Sequence, residues 1–112
     1  MGRDASTRKL RNSAPVFAAL GDETRLALLT KLSGGSRFSI ARLTEGSSIT
    51  RQAITKHLRV LKDTGLVRGV RQGREYLFEL EPEPIDEARR VLDGISRQWD
   101  EALARLKSFV ER

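Results

Sequence analysis

Four polar side chains near the middle of the chain have the hydrogen-bonding groups needed to contact DNA bases. They are Arg51, Gln52, Thr55 and Lys56. In the major groove, Arg can bond two acceptors of guanine, Gln can bond adenine, and Thr can offer a hydroxyl or a methyl contact to thymine. The set therefore predicts a surface that contacts base edges.

A single predicted helix carries all four side chains. Thr50 is a favourable N-cap residue, and Gly65 fits the left-handed position that commonly follows a helix. Ile54, Leu58 and Leu61 are spaced four and three apart, which predicts one buried face. The four polar side chains lie on the opposite face, so we expect them to be exposed.

Positive charge is concentrated in the same region. The net charge is +6 and the sequence pI is about 10.5. Residues 51–74 hold one acid, Asp63, and seven basic side chains: Arg51, Lys56, Arg59, Lys62, Arg68, Arg71 and Arg74. A smaller basic cluster lies near the start of the chain (Arg3, Arg8, Lys9, Arg11). This distribution favours an anionic partner, although a charged stretch can also be a solvated face.

Composition indicates one compact domain without membrane spans or disulfides. The 112 residues are 38% hydrophobic and 32% charged, as in soluble globular proteins. No run approaches the roughly 20 apolar residues that a spanning helix needs, and the first residues lack the apolar part of a secretory signal. There is no cysteine, which fits a cytoplasmic location.

The remaining pattern predicts a helical body followed by a β-hairpin. Residues 1–12 are expected to form a flexible basic arm. A first helix starts near Ser13 and stops at Gly21. Asp22 caps a second helix with Leu26, Leu29 and Leu32 on one face, and Ser39 caps a short third helix. Two strands, 66–71 and 74–80, are joined by a turn at Gln72-Gly73, and Tyr76, Phe78 and Leu80 share one face.

The last segment, residues 82–112, has the most regular pattern. Its apolar residues are spaced alternately three and four apart, as in a heptad repeat: Ile85, Ala88, Leu92, Ile95, Trp99, Ala102, Leu106 and Phe109. A helix of about 27 residues is about 40 Å long, longer than the body can cover. We therefore expect part of this stripe, including Trp99, to contact another chain. The alternative is that the helix folds back onto its own domain.

This order of elements predicts a mainly α fold with a small β-hairpin, a winged helix-turn-helix over residues 13–81. In such a fold the second helix of the motif enters the major groove and the hairpin, called the wing, approaches the backbone. Arg71 and Arg74 flank the wing turn. We expect backbone contacts from Thr50, His57, Arg59, Arg71 and Arg74. His57 has the alternative of a purely structural role.

The sequence also resembles the ArsR/SmtB-type winged-helix repressors from about Ser13 to Leu80. The matching stretches are F-A-A-L-G-D-E-T-R-L-A-L-L-T-K-L, A-I-T-K-H-L followed by R-V-L-K-D-T-G-L-V, and the R-Q-G-R wing followed by E-Y-L-F-E-L. The resemblance implies a homodimer through its first and last helices and base contacts from the four side chains named above. The implied interface residues are Val16, Phe17, Leu20, Leu92, Ile95, Trp99, Leu103, Leu106 and Phe109.

Many members of that family sense metals, but the ligands they use are missing here. The positions of the thiolate pair correspond to Ser39 and Ala41, and the chain has a single histidine. Asp86, Glu87 and Asp93 are better explained as a solvated helix face than as a cation site. The sequence thus resembles a branch without metal ligands, and we expect no metal and no cofactor. No residue constellation supports an enzyme.

The sequence therefore favours a homodimeric, sequence-specific regulator of transcription, a repressor that binds an inverted repeat in double-stranded DNA. The helix at 51–64 and the wing at 66–80 would make the contacts, and residues 82–112 would form the dimer. The alternative is a winged-helix protein-interaction domain whose basic face binds an acidic protein. A small-molecule effector bound between the helices is left open.

Overall fold

A computed structural model describes the backbone of residues 2–111 and the side chains of residues 8–111. Five helices and three strands follow one another along the chain. They are α1 (Gly2–Leu20), α2 (Glu23–Leu32), β1 (Phe38–Ser39), α3 (Ile40–Thr44), α4 (Arg51–Asp63), β2 (Val67–Gln72), β3 (Glu75–Leu80) and α5 (Pro82–Val110). The predicted fold class, a mainly α winged helix-turn-helix, is confirmed, with α3 and α4 as the motif and β2–β3 as the wing.

The three predicted N-caps are confirmed. The side chains of Asp22, Ser39 and Thr50 each accept a hydrogen bond from the backbone N–H three residues ahead, at 3.0, 3.2 and 3.1 Å respectively. Each cap satisfies a backbone donor that the first helical turn leaves free. Gly65 closes α4 with a φ of +80°, a conformation that side chains with a Cβ rarely adopt.

The core lies between α2, α3, α4 and the sheet. Ile54, Leu58 and Leu61 are all buried, as their spacing predicts. In α2 two of the three predicted core residues, Leu29 and Leu32, are buried, whereas Leu26 is exposed and Leu28 is buried instead. The apolar face of α4 is therefore fixed in the core, and its polar face is left outside.

The sheet has three strands in the order β1-β3-β2, all antiparallel. The two-residue β1 pairs with Leu77 and Phe78 and was not predicted. The hairpin turn is also shifted by one residue from the prediction. Gln72 pairs with Glu75, so the turn consists of Gly73 and Arg74. Gly73 has a φ of +63°, as the first central residue of a type II′ turn requires.

Helix α1 begins earlier than the sequence predicts. The start predicted near Ser13 is wrong, because residues 2–12 continue the helix without a break. Pro15 lies inside α1, where it removes one backbone hydrogen bond. Helix α1 packs against α5 and continues on the N-terminal side of this proline. The boundary predicted at residue 12 is therefore absent, and Met1 lies outside the described residues.

Helix α5 has 29 residues and is about 44 Å long. Pro82 and Pro84 form its first turn, where the missing N–H groups cost little. Ala88 is buried against the body, whereas the large apolar residues from Leu92 onwards are exposed. The long axis of the molecule consequently reaches 67 Å. Within residues 2–111, no helix is long and apolar enough to cross a membrane.

Candidate DNA-binding surface

The first two turns of α4 present the predicted base-contacting side chains. Arg51, Gln52 and Lys56 are exposed and Thr55 is half-buried. The Thr55 hydroxyl donates its proton to the carbonyl of Arg51 at 2.8 Å, so its methyl group and the acceptor side of the hydroxyl are left for a contact. A thymine methyl is a suitable partner for the methyl group. The positive end of the helix dipole, at the Thr50 cap, adds attraction for a phosphate.

The structure separates the seven basic residues of this region into two groups. Lys62 and Arg68 have partners within the protein, since Lys62 bonds Tyr76 and Arg68 bonds Glu79. Among the residues that the structure describes, the other five form no ion pair within 4 Å: Arg51, Lys56, Arg59, Arg71 and Arg74. These five exposed charges on α4 and the wing are available for a polyanion, as the predicted contacts require.

Glu79 holds the base of the wing together. Its carboxylate accepts from Arg37 at 2.8 Å and from Arg68 on the neighbouring strand. Arg68 also lies 2.9 Å from Glu81. Hydrogen bonds from Arg37 and then Arg68 lower the pKa of Glu79 below its ordinary value of 4.5. The carboxylate therefore stays charged at neutral pH and links the strands that support Arg71 and Arg74.

His57 is turned away from the exposed face of α4. It is half-buried, and its Nδ1 lies 3.4 Å from Nη1 of Arg25 and 3.7 Å from Oδ2 of Asp22. These neighbours lie at the start of α2. This placement favours the structural alternative for His57 over the predicted phosphate contact.

Two residues at this surface were missed in the sequence. Arg25 was not singled out, although it lies in the G-D-E-T-R stretch that carries the resemblance. Tyr76 was noted only as a strand residue, yet its hydroxyl accepts from Nζ of Lys62 at 3.0 Å. A groove of about 450 Å³ between α4 and the wing has Thr55, Arg59 and Tyr76 in its lining.

The predicted interface residues fall into two groups. On α5 the stripe is exposed, with Trp99 at 65%, Leu106 at 59% and Phe109 at 74%; Leu92, Ile95 and Leu103 are exposed as well. On α1, Phe17 and Leu20 are half-buried. Val16 lies in the core of the chain itself, so it has little surface for a second chain and we remove it from the predicted interface.

Two of the positions weighed as metal ligands have other roles here. Ser39 caps α3, and the Glu87 carboxylate lies 2.6 Å from Arg90. Among the side chains of residues 8–111, no three His, Cys, Asp or Glu come together as a metal site would require.

Comparison with known proteins agrees with this geometry. A family model described as a helix-turn-helix domain matches residues 20–70. The chain is 41% identical over 80 residues to an HTH-type transcriptional regulator, YuzN, of Bacillus subtilis, covering 66% of this chain and 87% of the relative. It is 29% identical over 88 residues to the HTH-type transcriptional repressor SmtB of Mycobacterium tuberculosis, covering 79% and 63% respectively.

Comparison with solved structures also finds a transcriptional regulator. An ArsR-like transcriptional regulator from Rhodococcus sp. RHA1 superposes with a TM-score of 0.77 at 39% identity, covering 89% of this chain and 93% of the other. Fold and surface together define a winged helix-turn-helix DNA-binding protein. The chain belongs to the ArsR/SmtB-type family of transcriptional regulators. Because these relatives are named regulators and repressors, the prediction that the chain is not an enzyme is confirmed.

Proposed function

We propose that this regulator is a homodimeric repressor that binds an inverted-repeat operator through α4 and the wing. The observation that carries the proposal is the orientation of α4. Its apolar face is locked in the core by Ile54, Leu58 and Leu61, while Arg51, Gln52 and Lys56 are exposed and unpaired within the described residues. Arg and Gln at the start of such a helix match guanine and adenine edges.

Dimerisation is supported by the exposed apolar stripe on α5. Six large apolar side chains of the stripe are exposed, from Leu92 to Phe109, and such contiguous apolar surfaces often mark a site of protein–protein contact. Burying a side chain such as Trp99 or Phe109 contributes about 1.5–3 kcal/mol. Pairing through α5 and the exposed parts of α1 would relate two copies of α4 by a two-fold axis. Their half-sites would lie about 34 Å apart, one turn of the duplex.

The repressor role is supported by the printed names of relatives such as SmtB of Mycobacterium tuberculosis. A dimer bound across a promoter blocks polymerase without further contacts. The proposal includes a cytoplasmic location, because relatives such as YuzN and SmtB come from bacteria, whose DNA lies in the cytoplasm. A small-molecule effector would act on the equilibrium between the free and the operator-bound dimer.

Selection of bound fragments from genomic DNA tests this function. The full-length protein should enrich fragments that share one inverted repeat, and Arg97→Ala, which removes a charge from α5, should enrich the same set. Gln52→Ala should broaden the set. Enrichment of fragments without a common repeat would contradict the proposal and favour a basic surface for an acidic protein.

A further inference from the structure

Arg25 lies where α1, α2 and α4 meet. Its Nε donates to the carbonyl of Ala19 at 2.7 Å, and its Nη2 donates to the carbonyl of Ala18 at 3.3 Å. Both carbonyls belong to the last turn of α1, where helix carbonyls lack the usual partner four residues ahead, and that of Ala18 also accepts from the backbone N–H of Gly21 at 3.2 Å. The third nitrogen, Nη1, lies 3.4 Å from Nδ1 of His57 in α4. One guanidinium group thus contacts the end of α1 and the middle of α4.

Asp22 completes what we call the Arg25 cluster: Asp22, Arg25 and His57. The Asp22 carboxylate caps α2 by accepting from the backbone N–H of Arg25 at 3.0 Å. This bond is the main cause that lowers the pKa of Asp22, and the nearby Arg25 charge adds to it. The carboxylate therefore remains ionised and balances the charge of Arg25.

The distances decide which contact His57 makes. At 3.7 Å, Asp22 is too far for a hydrogen bond to Nδ1. Arg25 is closer, and Nδ1 can accept from it when the imidazole proton is on Nε2. His57 follows Lys56 directly in the chain. The contact with Arg25 therefore fixes α4 at the turn that carries a predicted base-contacting residue.

We propose that Arg25 and His57 are positioning residues that fix the orientation of α4 relative to α1, and so set the half-site spacing that the dimer accepts. The inference rests on the proposed function, in which α1 takes part in the interface and α4 enters the groove. Because α1 and α4 would then belong to the dimer and to the DNA contact respectively, a rotation between them changes the distance between the two copies of α4.

The apolar core alone does not fix this orientation. Ile54, Leu58 and Leu61 hold α4 in place through non-directional contacts, which tolerate small rotations. The guanidinium group of Arg25 is planar and its hydrogen bonds are directional, so it restricts the angle between α1 and α4. The cluster is partly exposed, and its loss should leave the fold intact while loosening the geometry.

Operators with altered spacing test the inference. The duplex recovered by genomic selection is compared with versions carrying one base pair more or fewer between the half-sites. The native protein should strongly prefer the recovered spacing. Arg25→Lys and His57→Leu should reduce that preference roughly two- to thirtyfold, because a lysine cannot bridge both helices and a leucine cannot accept. Binding to one isolated half-site should change little.

Two controls separate positioning from stability. His57→Gln keeps an acceptor for Arg25 and should retain most of the preference. Arg97→Ala, outside the cluster, should retain all of it. Unchanged spacing preference in both Arg25→Lys and His57→Leu, with or without a lower Tm, would overturn the inference. If the native protein bound all spacings equally, the dimeric function proposed above would itself be wrong, and the inference with it.

Discussion

Nζ of Lys62 donates a hydrogen bond to the hydroxyl of Tyr76 at 3.0 Å, which connects the last turn of α4 to the wing. Nζ also lies 5.6 Å from the centre of the Tyr76 ring. This distance places the ammonium beyond the hydroxyl and close to the ring plane, so the contact is a hydrogen bond and not a cation–π interaction. The ring packs edge-on against Phe78, with centroids 5.3 Å apart.

Gly69 makes room for this connection. A Cβ at Gly69 would lie 1.9 Å from Oη of Tyr76. We predict that Gly69→Ala displaces the ring and breaks the bond from Lys62. Because Tyr76 is already 40% exposed, unfolding free energy should fall by only about 1 kcal/mol. Loss of this bond would also free the wing from α4, so the free energy of operator binding should fall by more than the free energy of unfolding. The upper limit is the loss caused by removing both wing arginines, Arg71 and Arg74.

A double-mutant cycle checks this explanation. In a Tyr76→Ala background, Gly69→Ala should have no further effect on operator affinity measured by fluorescence anisotropy. Additive losses would show that Gly69 acts by another route. Tyr76→Phe, which keeps the ring and removes only the hydroxyl, isolates the contribution of the hydrogen bond.

The base-contacting residues should affect sequence preference. We predict that Arg51→Ala and Gln52→Ala each weaken binding to the operator by about 1–3 kcal/mol and change binding to scrambled DNA little. Competition gel shifts with both duplexes give the ratio of the affinity for the operator to the affinity for scrambled DNA. Arg97→Ala is the charge control. Equal losses on the two duplexes would contradict the assignment.

The wing residues should behave differently. Arg71→Ala and Arg74→Ala should weaken all sequences to a similar extent, because phosphate contacts carry little sequence information. Each change should also reduce the slope of log K against log salt by about 1. A titration between low and moderate salt measures the slope. An unchanged slope in both variants would remove the wing from the contact surface.

The stripe on α5 should control association. We predict that Trp99→Asp gives a folded monomer, because Trp99 is 65% exposed and lies outside the protomer core. Sedimentation velocity measures the mass, and circular dichroism the fold. Ala104→Asp adds the same charge on the opposite side of α5 and should leave the dimer intact. A dimeric Trp99→Asp variant would show that the interface lies elsewhere.

The ion pairs of Glu79 should make wing stability depend on pH. Its pKa is lowered in the folded protein, so the charged form stabilises the fold above the unfolded pKa, and this contribution is lost as pH falls through the folded pKa. Glu79→Gln should therefore lower Tm at about pH 7. The difference from the native protein should shrink below about pH 4. A difference that stays constant with pH would rule out the charge as its cause.

Local patterns in the sequence predict most of the DNA-binding helix. The Thr50 cap and the stripe of Ile54, Leu58 and Leu61 depend on residues three or four apart, and both are confirmed. The long helix α5 follows from its heptad spacing for the same reason. Thr55 lies on the predicted face of α4 but is half-buried, and its bond to the Arg51 carbonyl was not predicted.

Contacts between distant residues were the part that could not be predicted. Arg68 looks like a free charge in the sequence, yet its partner Glu79 is eleven residues away on the neighbouring strand. Arg25 and His57 are 32 residues apart, and no spacing rule connects them. The start of α1 was missed because a proline such as Pro15 is typical of the first turn of a helix, whereas here the helix continues on its N-terminal side.

Sedimentation equilibrium of the protein on its selected operator tests the central claim most directly. We predict a complex of two chains on one duplex, which Trp99→Asp prevents and Ala104→Asp leaves unchanged. The same protein on a scrambled duplex should show weak binding without a fixed ratio. One chain per operator at saturation would contradict a dimer that places two α4 helices on successive turns of the same DNA.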